Sequence, residues 1–215
     1  MSTRYDTSHL PENQYEPGSN GKVLRNKRSI TDLVEMGVEE TNALWRTQND
    51  LIGEVSADQS FTVQDVCNIH KEWLKDIYPW AGQPRTVNIS KGGFDFAQAR
   101  FVPTLLDEFE RKQLRAYTPC QFETRSQVAH ALAEVHVELM LIHPFREGNG
   151  RLGRILATLM ALQAGLPVLD FSALDGVRRE EYFAAVRSGL DRDYLPMKRL
   201  FDDIIESSLQ ISREL

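Results

Sequence analysis

Residues 141–160 read "LIHPFREGNGRLGRILATLM": an apolar run halts at His143-Pro144, then come Glu147, two glycines around Asn149 and two arginines three apart, and a second apolar run follows. These residue types in this order suit the transfer of a phosphorus-containing group to a hydroxyl. The unperturbed imidazole pKa of about 6.5 makes His143 a general base at neutral pH. Gly148 and Gly150 let an anion approach backbone N–H groups where the next helix begins, at the positive end of its dipole. Arg151 and Arg154 share one side of that helix. Two cations at a helix N-terminus oppose the macrodipole, so the arrangement makes sense if a di- or triphosphate sits there. Glu147 is then a carboxylate beside phosphates, the usual circumstance of Mg²⁺, which takes one or two carboxylates plus phosphate oxygens. The set describes phosphoryl or nucleotidyl transfer.

Pro144 ends the preceding helix, because the residue before proline avoids the α region. Residues 125–141 are apolar almost all round (Val128, Leu132, Val135, Val137, Leu139, Met140), and so are residues 152–162. Helices of that kind belong at the centre of a bundle. Further helices are predicted near 33–51, with caps in Ser29–Asp32, and near 63–78, 102–116, 150–164, 176–189 and 193–210. "TVNISKGGFDFA" differs: Val87 and Ile89 alternate with Asn88 and Ser90, Lys91-Gly92-Gly93 makes a turn, and Phe94 and Phe96 flank Asp95. This is the one convincing hairpin signal. The fold class is all-α, a helical bundle with one small β-hairpin.

The 215 residues are enough for one large domain. A net charge of −6 argues against a general nucleic-acid binder but leaves room for a local basic pocket. Cys67 and Cys120 have no zinc spacing and read as free thiols in a reducing compartment. The polar start "MSTRYDTSHLPENQYEPG" is unlike a signal peptide, and no run of 18 apolar residues spans a membrane, so a cytoplasmic location is expected.

"HPFREGNGRLGR" resembles the Fic motif H-P-F-x-[D/E]-G-N-G-R-x-x-R at every specified position. "YPWAG", the hairpin and the opening "YEPGSNGKVLRNKRSITD" are similar to the surroundings of that motif in Fic proteins, over roughly residues 14 to 205. The division expected is an arm at 1–13, a Fic domain at 14–206 and a tail at 207–215. The resemblance implies AMP transfer from ATP to a protein hydroxyl. His143 would deprotonate the acceptor, and Glu147 would hold Mg²⁺ on the α- and β-phosphates. The amides of Gly148 and Gly150 and the Asn149 side chain would cradle phosphate. Arg151 and Arg154 would balance the departing pyrophosphate, and Phe145 would fix the loop from the core. The hairpin residues Val87, Asn88, Ile89, Ser90, Lys91, Gly92 and Gly93 would form a flap that aligns a target segment by main-chain pairing. The related Doc kinases carry bulkier, basic residues where this chain has Gly-Asn-Gly, which favours AMP transfer. Transfer of UMP, phosphate or phosphocholine on the same scaffold, or a non-catalytic nucleotide-binding module, are the alternatives. Family analogy adds type II topoisomerases as candidate targets.

Many Fic proteins are inhibited by a glutamate set against the second motif arginine, here Arg154. "SHLPEN", Ser8 to Asn13, has the spacing, but Pro11 sits badly in a short helix. The preferred expectation is a separate small antitoxin that lends the glutamate. His136 is read as a hydrogen-bonded core histidine rather than a metal ligand, His70 and His130 as packing or surface residues, and Trp73, Tyr78 and Trp80 as core aromatics. Tyr182 and the segment near Asp193 are candidates for an adenine pocket.

Overall fold

A computed structural model describes residues 9–174 and 176–214, apart from the Val177 side chain. Its elements are α1 (Leu33–Glu54), α2 (Val63–Leu74), β1 (Ser90–Lys91), β2 (Phe94–Asp95), α3 (Val102–Phe109), the short α4 (Arg115–Tyr117), α5 (Arg125–Ile142), α6 (Asn149–Gln163), α7 (Arg179–Ser188) and α8 (Leu195–Glu214). Local chemistry sets the starts. The Asp32 carboxylate accepts from the Val34 and Glu35 N–H groups, and reciprocal capping boxes, Thr62 with Asp65 and Thr124 with Gln127, open α2 and α5.

The all-round apolar α5 lies at the centre, against α3, α6, α7 and α8. Leu132, Leu139, Leu152, Leu156, Leu200 and Phe201 are fully buried in that core. Removing such surface from water is the dominant favourable term in folding. A second, smaller cluster of Val23, Ile30, Met36, Trp73, Leu74, Ile77, Tyr78 and Trp80 joins the N-terminal arm to α1 and α2. The core reading of the three aromatics holds. Cys67 and Cys120 are free thiols.

Several boundaries differ from the periodicity. The apolar repeat past Leu74 continues as turns, so α2 stops before Pro79. Residues 110–114 widen into a π-turn between α3 and α4. The expected tail at 207–215 is not separate: α8 continues to Glu214, with the buried Ser208 hydroxyl donating to Ile204 O and accepting the Asp170 N–H. The arm is irregular but tied down, through a Tyr15–Leu24 bridge and the Glu16 carboxylate on the Asn26 N–H.

The hairpin is shorter than the alternation from Val87 to Phe96. Ser90 pairs Asp95 and Lys91 pairs Phe94 across Gly92-Gly93. Both glycines have positive φ (58° and 77°), which a two-residue I′-type connection requires. Val87 is buried and the Asn88 side chain accepts the Ala99 N–H. These two residues therefore form the root of the hairpin, and Ile89–Gly93 its outer part. Among the described residues no helix is long and apolar enough to cross a membrane.

Candidate active site

The motif loop joins the two central helices. His143 caps α5 in the left-handed region (φ 51°), while its N–H still bonds Leu139 O at 2.9 Å. A non-glycine residue there is uncommon and concentrates at functional sites. The surroundings hold the strain. Phe145 is completely buried, and its ring stacks on His70 with centroids 3.9 Å apart. His70 Nδ1 accepts the Gly82 N–H at 2.8 Å, and its Nε2 lies 3.1 Å from Glu147 O, to which it donates. One buried imidazole thereby fixes both ends of the loop.

His143 Nδ1–H donates to Met140 O at 3.2 Å, leaving Nε2 as the basic nitrogen. The Phe96 ring stacks on the imidazole, centroids 3.7 Å apart and planes 19° apart. Burial pushes the His143 pKa down to about 4, with the charges of Arg85 and Lys91 adding to the depression. At neutral pH the ring is therefore uncharged and able to accept a proton.

Gly148, with φ 87°, is the N-cap of α6, and Leu152 N–H makes the first intrahelical bond, to Gly148 O. The N–H groups of Asn149, Gly150 and Arg151 precede it and belong to the helix's unpaired donors. An added Cβ at Gly148 would lie 2.6 Å from the Trp73 ring, whereas one at Gly150 meets nothing within 4 Å. The first glycine is required by the fold; the second leaves space above the backbone.

Asn149 departs from the expectation. Its side chain turns inward, where Oδ1 accepts the Phe145 N–H at 2.9 Å and Nδ2 donates to Phe145 O at 2.7 Å. It staples the loop rather than cradling phosphate, and only its backbone N–H faces that task. The Gly148 N–H is likewise bonded, to Glu147 Oε1 at 2.8 Å.

Arg151 Nη2 is 2.7 Å from Glu40 Oε2 and 3.5 Å from Glu147 Oε1, with its guanidinium 4.7 Å over the Trp73 ring. Arg154 lies 5.6 Å from the Phe171 ring centroid. His143, Glu147, Gly148, Asn149, Gly150, Arg151 and Arg154 all line one cleft of about 750 Å³, with Ile89, Ser90, Lys91 and Gly92 of the flap forming its opposite wall. Tyr182 and Phe183 of α7 also line it. Asp193 does not line it; its carboxylate caps the start of α8 at Leu195 N–H.

Sequence reasoning missed Arg85, Glu40 and the role of His70. Arg85 is almost wholly buried, and donates to His143 O (2.7 Å), Val87 O (2.7 Å), Ala97 O (2.5 Å) and Ile142 O (3.2 Å), binding the flap root to the end of α5. Its only signal was a basic residue between a turn and a hairpin. His136 is the core histidine expected, 2.8 Å from the Tyr182 hydroxyl. Glu12 of "SHLPEN" is buried against the flap root, accepting the Thr86 N–H at 2.7 Å; Ser8 lies outside the described residues. Among the described residues no three His, Cys, Asp or Glu side chains form a metal cage.

Residues 60–161 match the Fic/DOC family model. Protein adenylyltransferase VbhT of Bartonella schoenbuchensis is 31% identical over 184 residues, 83% of this chain and 35% of its own length. The probable protein adenylyltransferase Fic of Escherichia coli is 27% identical over 145 residues, 65% of this chain and 68% of its own length. The structure of Bartonella tribocorum BepC with bound AMPPNP has a TM-score of 0.75 at 23% identity, covering 91% of this chain and 97% of that one. The chain spans about a third of VbhT and about two thirds of the E. coli relative. Residues 60–161 are thus similar to the Fic/DOC family, and the fold is the helical one of the Fic structures.

Proposed function

We propose, for this Fic-like domain, transfer of AMP from ATP to a hydroxyl side chain of a target protein. One observation carries the reading: His143, its Nδ1 proton committed to Met140 O, presents a neutral Nε2 in the cleft that also holds the unpaired amides of α6 and two motif arginines. Nε2 takes the proton of the acceptor hydroxyl. The hydroxyl oxygen bonds to the α-phosphorus, the bond from that phosphorus to the bridging oxygen breaks, and pyrophosphate leaves with the electron pair. The amides of Asn149 and Gly150 and the guanidinium groups of Arg151 and Arg154 hold the charge of the phosphates. The names of the relatives and the AMPPNP bound to BepC support the nucleotide.

The residues present fit Mg²⁺. Glu147 Oε1 accepts the Gly148 N–H while Oε2 makes no hydrogen bond, and the carboxylate is half exposed in the cleft. One free carboxylate oxygen beside phosphates is what this ion takes from a protein. Bound there, it would neutralise phosphate oxygens as charge builds on the leaving group.

The flap edge Ile89–Gly93 aligns an extended segment of the target over His143. Regulation follows the family logic: a separate small antitoxin lends a glutamate to Arg154, because Glu12 is engaged at Thr86. Type II topoisomerases in a bacterial cytoplasm are the first targets to try.

ATP labelled at the α- or the γ-phosphorus tests the reaction. Label that stays on protein from the α position alone, and is lost in His143→Ala, is the expected result. Label from the γ position alone would make the chain a kinase and overturn the proposal.

A further inference from the structure

The cleft is strongly cationic. Lys91, Arg146, Arg151, Arg154, Arg179 and Arg187 line it, against Glu147 and Glu180. This inverts the balance of a chain whose net charge is −6. Arg151 and Arg154 stand where the phosphates come, and Arg179 and Arg187 stand on α7. Lys91 and Arg146 remain, on the flap side and beside the base.

Arg146 follows Phe145 in the motif loop and is partly buried. Its Nε is fully shielded from solvent and has no hydrogen-bond partner. Lys91 stands at the turn end of β1, near enough to His143 for its charge to disfavour imidazole protonation. Neither the Lys91 nor the Arg146 side chain makes a hydrogen bond or ion pair with a described residue. Other surface cations of this chain find acids without difficulty, among them Lys112 with Glu108 and Lys198 with Asp202. Two cations with unpaired side chains thus line the cleft that holds the base, one of them on the flap.

Resting on the proposed transfer to a protein hydroxyl, we propose that Lys91 and Arg146 form a selectivity site for an acidic side chain close in sequence to the acceptor hydroxyl. A planar guanidinium takes a carboxylate bidentately, and the ammonium of Lys91 adds a mobile second donor. Main-chain pairing along the flap is blind to sequence, so a charge read beside the hydroxyl supplies discrimination that the flap lacks.

The test incubates wild type, Arg146→Ala, Lys91→Ala/Arg146→Ala and Lys91→Glu/Arg146→Glu proteins with ATP, Mg²⁺ and a cell lysate. Mass spectrometry reads the residues flanking each modified hydroxyl, and pyrophosphate release at varied ATP gives the nucleotide KM. Wild-type sites enriched in Asp or Glu, enrichment lost in the double alanine variant, basic neighbours gained in the double glutamate variant and an ATP KM within about twofold throughout are the expected results. Sites without acidic neighbours, or the same flanking pattern in all four proteins, would overturn the proposal. So would a tenfold rise in ATP KM in Arg146→Ala, which would assign that cation to the nucleotide. Acid-flanked sites carrying a group other than AMP would remove the AMP reading and leave this site standing. A folded wild-type chain that modifies no protein at all would sink both.

Discussion

Phe96 of the flap lies flat on the His143 imidazole, ring centroids 3.7 Å apart. The flap thereby covers the base. The same cover removes water from the ring, and that desolvation is the main cause of the low proton affinity of His143. Phe96→Ala should readmit water and move the imidazole pKa from about 4 back toward the ordinary value. Activity that needs the neutral base is lost as pH falls through that pKa. The acid limb of kcat/KM should therefore shift upward by a unit or more in the variant, and Phe96→Leu should shift less. An acid limb unmoved by Phe96→Ala would show that the flap does not set the state of the base.

The Arg85 guanidinium binds carbonyl groups from two chain segments, the end of α5 and the root of the flap, which the backbone bonds Arg85 N–H to Pro144 O and Ala97 N–H to Leu141 O also join. Truncation to alanine strands several buried acceptors, at about 1–3 kcal/mol each before relaxation. Arg85→Ala should lower unfolding free energy by roughly 3–5 kcal/mol, within the range of a broken buried network. Arg85→Lys should recover only part of it, because an ammonium lacks the planar fork. Denaturant unfolding gives the cost. Hydrogen exchange at residues 87–97 should rise more than in α8, and equal loss in both places would contradict the local role.

The candidate site was legible in the sequence because it is crowded into twelve residues, His143 to Arg154, and the central helices because α5 and most of α6 are apolar nearly all round. The supporting residues were not. Arg85, His70 and Glu40 act across 58, 77 and 111 positions of chain, on His143 O, Glu147 O and Arg151 respectively. No local pattern marks such a contact, since a buried arginine and a surface one look alike in sequence. The Asn149 side chain was hard to place for a related reason: an amide in a glycine turn suits a phosphate and suits its own loop equally, and here it bonds the loop at Phe145. The tail assigned to 207–215 failed because α8 keeps its apolar face through Ser208 and Leu209, beyond the point where polar residues begin to dominate.

The two glycines of the motif should respond differently to the same substitution. At Gly148 a methyl group would strike Trp73 at 2.6 Å from a backbone with φ 87°. Gly148→Ala should destabilise the fold by about 1–3 kcal/mol through strain and overpacking. Gly150 lies in helical backbone with nothing within 4 Å of a new Cβ, so Gly150→Ala should unfold at or above the wild-type temperature. Its methyl group enters the space above the unpaired amides, and AMP transfer should fall at least tenfold. Thermal melts and initial rates on the two variants separate the roles. A fully active Gly150→Ala protein would mean that no phosphate approaches the backbone there.

Glu40 should act on the nucleotide without touching it. Its nearly buried carboxylate accepts from Arg151 Nη2 at 2.7 Å and from the Tyr78 hydroxyl at 2.6 Å, and Arg151 lies over Trp73. Glu40→Gln keeps the shape and removes the charge, so Arg151 loses its anchor and spends time out of position. The ATP KM should rise about fivefold or more while the target KM holds. Glu40→Ala should add a stability cost of about 2–3 kcal/mol, less than for a fully buried pair because Arg151 is partly open to solvent. An unchanged ATP KM in Glu40→Gln would leave Glu40 a purely structural residue.

Three buried imidazoles make the fold sensitive to acid. Burial holds His70, His136 and His143 each at about 4, well below the usual histidine value. In the unfolded chain each takes up a proton near pH 6.5. Between about 6.5 and 4 the unfolded state therefore binds more protons, and stability rises with pH across that window. Their contribution is intact above 6.5, is lost as pH falls toward 4, and levels off below. Urea unfolding between pH 4 and 7.5 should give a slope approaching three protons from these groups, with carboxylates adding their own near the lower end. His136→Phe, which keeps the ring against Phe201 but cannot titrate, should flatten the slope by close to one proton. It also loses the Tyr182 bond, so its stability at pH 7.5 should fall by about 1–2 kcal/mol even as its acid sensitivity declines. A slope as steep as wild type's in that variant would mean that His136 already carries a proton in the folded chain.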